Sequence, residues 1–214
     1  KVGVADVLAI FRDTYGGTDY DMTRTLVALN RKGELVKSPV ATPFMTGDTL
    51  ALFRLKRERT ICSPAATYLQ VTQSRDWLPG PIGGVVWLGY DNPATTPHVP
   101  IYIGIAQMPA PYMVDGRWAF SRDCAWWAFR TVSRLANFRW QEMSKDIEAV
   151  WKPIEDGAFA GQAKFEEEVL AVWKKDPKKA REMLTKHSHD IANKAVAAYW
   201  KLGDDLWLKY SGSF

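Results

Sequence analysis

Cysteine is scarce in this chain: Cys62 and Cys124 are the only two among 214 residues. Two do not build a disulfide framework for a chain of this length, so the redox compartment stays open. Histidine is nearly as rare, with only His98, His187 and His189. His187 and His189 stand two apart on a helical stretch and point to different sides, a poor arrangement for sharing a metal, so neither metal nor cofactor is expected. No apolar run reaches the roughly 18 residues of a membrane span, and no membrane partner is predicted. The opening KVGVADVLAIF is too short and too mixed for a secretory signal. Also missing are the glycine patterns of dinucleotide and P-loop sites, the HExxH zinc helix and the GxSxG elbow. A dense basic stripe is lacking too, although the net charge is +4 and the pI about 9.0. Lys174, Lys175, Lys178, Lys179 and Arg181 lie beside Glu166, Glu167, Glu168 and Glu182. That is a solvated helical face, and no nucleic-acid partner is expected.

What is present is a globular mixture, 47% hydrophobic and 24% charged, of a length that fits one domain or part of a larger one. Three strand-like runs occupy a sheet core at about residues 59–105. Thr67 to Thr72 alternates apolar and polar residues, as a half-buried strand does. Gly84 to Tyr90 and Val99 to Ile105 are almost continuously apolar, as strands buried on both faces are. Pro79-Gly80-Pro81 and Asp91-Asn92-Pro93 supply the turns between them. Helices flank this core. The spacing of Val4, Val7, Leu8 and Phe11 predicts one over Val4 to Arg12. Arg31 to Thr49 reads as a long loop. A broad apolar stripe predicts a helix capped by Ser121 and running to about Val150, ended by Pro153. Another is expected over Gly161 to Lys175. The last begins with Asp176 as N-cap and Pro177 at its first position, and pairs with its predecessor as an αα-hairpin. The class is therefore α+β: a small antiparallel sheet with a helical cover at about residues 121–210. Three strands are few for 214 residues. If Val85 to Leu88 is buried on both faces, this chain's helices are expected to cover one face, and the other to need residues from elsewhere.

Candidate chemistry is sparse. Cys62, in TICSP, with His98 as base is a conceivable nucleophilic pair, set against the commoner role of a free cysteine as a small buried hydrophobe. Cys124 reads as packing. Arg57, Arg59, Gln73 and Arg75 form a set around the first strand. An arginine fork suits a substrate carboxylate and a glutamine can orient an amide, so Arg59, Gln73 and Arg75 are the candidate substrate-binding residues, against a structural ion-pair role. Asp91 and Asn92 either line a site or simply turn the chain.

The phrases FRDTYGGTDYDMT, RERTICSPAATYLQVTQSR, LPGPIGGVVWLGYDNPATTPHVPIYIGI and FSRDCAWWAFRTVSRLANFRW together resemble the later part of the cysteine dipeptidases of the N-terminal-nucleophile hydrolase superfamily, relatives of the secernins. The resemblance spans nearly the whole chain and is weakest beyond about Trp151. It implies a four-layer αββα sandwich and metal-free hydrolysis of dipeptides. In that chemistry the first residue is a cysteine whose thiol attacks and whose own α-amine acts as base. Here residue 1 is Lys1, and neither Cys62 nor Cys124 has a free α-amine. The expectation is a carboxy-terminal portion, residues 1–214, whose nucleophile-bearing part lies outside this chain and is its partner along with the dipeptide substrate. Such a portion is expected to be inactive alone, and a homo-oligomer is compatible with the resemblance. Two other readings stand beside this one: a related amidase acting on an acylated β-lactam or conjugated bile acid, and a non-catalytic binding module. Bacterial members occur with and without export signals, so the compartment, cytoplasmic or exported, is not implied.

Overall fold

A computed structural model describes residues 2–212 and is α+β, with two small antiparallel sheets and helices around the larger one. Helix α1 spans Val4–Phe11, within one residue of its expected end. The segment read as a long loop instead holds β2 (Leu35–Lys37), which pairs as a hairpin with β1 (Val27–Leu29) just before it, and the start of a short helix α2 (Gly47–Leu52). Asn30 and Gly33 make the hairpin turn, Gly33 taking φ +79°, where a side chain would be strained. Thr46 caps α2 by accepting from the Thr49 N–H.

The central sheet has the order β3-β4-β5, all antiparallel. β3 is Tyr68–Ser74, β4 is Gly84–Tyr90 and β5 is Val99–Tyr102. A single helical turn, α3 (Gly80–Gly83), makes the corner between the first two. Alternation sends the side chains of β4 to two separate cores. Val86, Leu88 and Tyr90 face a cluster built with Val99, Ile101, Phe129, Val132 and Tyr199. Val85 and Trp87 face a second cluster with Tyr102, Ala158, Val169 and Leu184.

The helical cover departs from the expected boundaries. The stripe after Ser121 is two helices, α4 (Ala125–Ala136) and α5 (Trp140–Trp173), broken at residues 137–139. Cys124, not Ser121, is the N-cap residue of α4. α5 continues straight through Pro153 and absorbs the helix expected to start at Gly161. Pro153 is exposed, so the hydrogen bond it forgoes faces water. α6 (Pro177–Ser211) begins as expected, with Asp176 accepting from the Lys179 N–H. At 34 and 35 residues, α5 and α6 are each roughly 50 Å long.

The expectation that one face of the sheet would be left for outside residues is corrected for β4 and β5. α4 packs on the first cluster, the middle of α5 on the second, and α6 contributes to both. The ground left bare is β3. Its Tyr68, Gln70 and Thr72 pair with Tyr90, Leu88 and Val86 and so share the α4 side of the sheet, yet all three are exposed. Among the described residues no strand pairs with the outer edge of β3, and no helix is long and apolar enough to cross a membrane.

Candidate functional site

Polar groups are buried at three places around the sheet, and each has its own logic. The first joins α1 to α5. Arg12 forks onto Glu155 with Nη1–Oε1 and Nη2–Oε2 distances of 2.8 and 2.7 Å, and it also donates to the Pro93 and Thr96 carbonyls. Glu155 accepts from the backbone N–H of His98 at 2.8 Å. Burial opposes ionisation of Glu155, but the His98 and Arg12 hydrogen bonds and the Arg12 charge outweigh it and bring its pKa down to about 2. Burial pushes the pKa of His98 down despite Glu155, so the ring is neutral. Tyr199 from α6 closes the group by donating to the Thr95 carbonyl. Every member is satisfied inward except His98 Nε2. This knot fastens the 91–98 turn rather than presenting chemistry to solvent.

The second place is the Gly83 end of β3. Arg75 pairs with Glu166 at 2.6 Å, both side chains under a tenth exposed, and donates to the Ile82 and Gly83 carbonyls. Gln73 Oε1 accepts from Gln162 at 3.0 Å and from the Trp87 indole at 3.4 Å. Tyr102 donates to the same Glu166. Arg75 and Gln73 therefore bolt α5 to the sheet.

Arg59 lies at the other end. It is exposed, and its guanidinium has no ion pair among the described residues; its carbonyl accepts from Tyr15. Three residues on, Cys62 donates to Asn92 Oδ1 at 3.2 Å, so Arg59 sits near the 91–92 corner. A seven-residue strand separates that corner from Arg75, about 20 Å at 3.4 Å per residue. The expected trio does not converge: one small substrate cannot touch Arg59 and Arg75 together.

The third place is that corner. Asp91 ends β4 with φ +62° and is 1% exposed. Its N–H donates to the Thr67 carbonyl, and its Oδ1 accepts from Arg130 of α4 at 2.6 Å. Its Oδ2 is buried and has no partner. A buried carboxylate oxygen left without a partner at a left-handed residue is a departure from ordinary satisfied packing. Arg130 stacks on Trp126, one helical turn earlier, at 4.7 Å, and the Trp126 indole N–H is likewise buried and unpartnered. Beside the corner lies a cleft of about 490 Å³ lined by Thr67, Tyr90, Val114, Asp115, Gly116, Arg117 and Trp126, with neither Asp91 nor Arg130 in its walls; its volume is within the size range of small-ligand sites. A smaller groove of about 270 Å³ among Leu135, Phe138, Met143, Leu206 and Trp207, with Arg139, Tyr210 and Ser211 in its walls, is mostly apolar.

Neither thiol attacks anything here. Cys62 is fully buried and desolvation pushes its pKa up to about 12, far from a thiolate. His98 is bonded to Arg12 and Glu155, so the conceivable Cys62–His98 pair is not formed. Cys124 is 1% exposed and directed at the Val114 carbonyl. His187 stacks on Phe165 at 3.7 Å and His189 meets the Gln107 carbonyl. Among the described residues no three His, Cys, Asp or Glu side chains are grouped to hold a metal ion. Sequence reasoning weighed Asp91 and Asn92 but missed Arg130 and Trp126. Their signal was an aromatic–cation pair at i, i+4 on α4.

The chain is α+β, with a small aromatic cleft beside a buried carboxylate–guanidinium pair. Its membership is more specific. The family model described as peptidase family C69 matches residues 1–153, and the chain belongs to that family, the cysteine dipeptidase family of N-terminal-nucleophile type that the sequence resembles. It is thus of the peptidase class. No curated protein matches the chain.

Proposed function

We propose that this chain is the carboxy-terminal portion of a cysteine-type dipeptidase whose nucleophile is the α-amino-terminal cysteine of a preceding segment. The observation that carries the reading is that a chain of a cysteine-peptidase family keeps both its thiols buried and hydrogen-bonded inward. A thiol at pKa about 12 leaves a negligible thiolate fraction near neutrality. In this reading the preceding segment brings the thiol, its own amine as base and the rest of an αββα sandwich, set against the bare β3. The present chain brings the cleft at the Asp91 corner. Arg59, exposed near that corner, is the member of the expected trio retained as a substrate-carboxylate contact; Gln73 and Arg75 serve by holding α5. The Asn92 amide has its oxygen occupied by the Cys62 thiol and the Ala94 N–H. That fixes its rotamer at the buried corner.

The test is hydrolysis of free dipeptides by the 214-residue chain and by the same chain expressed with its upstream coding sequence. The reading predicts turnover only in the second. Turnover by the 214-residue chain alone would overturn it.

A further inference from the structure

The apolar stripe of α4 is wider than the sheet beneath it uses. Phe129, Val132 and Ala136 are buried in the first core cluster, as are Leu202 and Leu206 of α6. Apolar surface continues beyond that buried side. Phe120, Phe138 and Trp207 are 58, 66 and 62% exposed, and Leu208, next to Trp207 in the chain, is 77% exposed. Two grooves run among them. One, of about 350 Å³, lies between α4 and α6 among Phe120, Arg122, Thr131, Trp200, Gly203 and Asp204. The other is the mostly apolar groove of about 270 Å³ that holds Phe138 and Met143. Leu135 and Trp207 line both and form the ridge between them. An aromatic side chain carries roughly 150–250 Å², so the three exposed rings present on the order of 350 Å². That is about half of the roughly 800 Å² that one partner gives to a standard interface. A helix apolar on more than one side is built to be covered on more than one side.

The charges around the grooves select the occupant. Arg122 pairs with Asp204, Arg139 with Glu142 and Lys209 with Asp146, and Tyr210 of the smaller groove donates to the same Asp146. Cations and anions therefore stand in equal number about the ridge, although the whole chain carries +4. An anionic membrane or an acidic protein is met by cations in excess. A balanced rim instead suits a surface that meets the same charges it carries, as the two halves of a two-fold dimer do. The shape agrees with the charge. A ridge flanked by grooves is complementary to itself, because a two-fold rotation lays each ridge in the other copy's groove. We propose that this α4–α6 face is the contact between two copies of the chain. Trp207 and Leu135 of each copy sit in a groove of the other, and the charged pairs are shared across the rim. The proposal goes beyond the reading of the protein as a dipeptidase and does not depend on it.

The experiment is sedimentation equilibrium over a range of micromolar concentrations, on the 214-residue chain and on the same chain expressed with its upstream coding sequence. Both are expected to approach twice their monomer mass, which is 24.2 kDa for the shorter chain. Trp207→Lys and Phe138→Lys, each at an exposed position, are expected to weaken association by about tenfold or more, as loss of a central aromatic anchor does. Trp118→Lys is the control: Trp118 is 85% exposed but lines neither groove, and its replacement is expected to change nothing. Near-UV circular dichroism confirms each fold, and either groove variant decides the matter if the other misfolds. Monomers at every concentration would overturn the proposal, as would a dimer that the two groove variants leave intact or that Trp118→Lys weakens equally. Where the two lengths differ, the longer protein decides; a dimer of the shorter chain alone would show that the preceding segment covers this face, and would overturn the proposal too. Mass alone is read, so failure here leaves the peptidase reading untouched.

Discussion

Arg59 and Arg75 look alike in sequence and differ completely in their surroundings. Arg75 is bidentate with structure, tied to Glu166 and to two carbonyls. Removing one partner of a buried pair leaves the other uncompensated, a loss of about 3–5 kcal/mol. Arg75→Ala is therefore expected to lower the urea midpoint sharply, whereas Arg59→Ala changes stability by no more than about 0.5 kcal/mol; equal midpoints for the two variants would refute the assignment. The Arg12–Glu155–His98 knot carries a pH signature. The pKa of Glu155 is depressed to about 2, so its contribution is whole above the unfolded value near 4.3 and is lost as pH falls towards 2. His98 is depressed as well, so its contribution is whole above the unfolded value near 6.5 and erodes below it. Stability should fall in two stages on acidification, and in Glu155→Gln the lower stage should shrink. None of this pairing was legible from sequence. Arg12 and Glu155 are 143 residues apart, and no local pattern marks a charged residue that will meet its counter-charge across the sheet.

At the scale of elements, the strands were legible because their signals are local. β4 coincides with its apolar run from Gly84 to Tyr90, and β3 with its alternation to within two residues. The helical boundaries were not. The apolar stripe runs on across Asn137, Phe138 and Arg139 without glycine or proline, so nothing announces the break between α4 and α5. Pro153 announces a break that does not occur, because Met143 and Ile147 before it and Ala158 and Val169 after it are all buried, and that packing outweighs the local cost. The β1–β2 hairpin was passed over because its strands are three residues long and largely exposed, although Asn30 and Gly33 signalled its turn. The α3 corner is a tight joint of the sheet. A Cβ on Gly83 would come within 2.4 Å of the Arg75 carbonyl, while one on Gly80 would meet nothing within 4 Å. Gly83→Ala should cost about 1–3 kcal/mol as overpacking, and Gly80→Ala about 0.5 or less. Thermal melts showing the reverse order would contradict this account of the corner.

The whole molecule is a sheet covered on both faces at β4 and β5 and left bare at β3. α6 contributes to the cores on both faces of β4 and β5, whereas β3 offers a bare face and an unpaired edge. Amide exchange is accordingly expected to be slower in β4 than in β3. Family membership makes the chain a peptidase, and the two buried thiols place the attacking sulfur outside it in the account proposed here. The most direct measurement is the kcat/KM for dipeptide hydrolysis of the upstream-containing protein carrying Cys62→Ser and Cys124→Ala together, normalised to folded protein. Serine at position 62 keeps a donor for Asn92, so the corner stays intact. The account predicts activity within about twofold of the unsubstituted enzyme; a loss of about a hundredfold or more in folded protein would show that one of these thiols is the nucleophile and would contradict it.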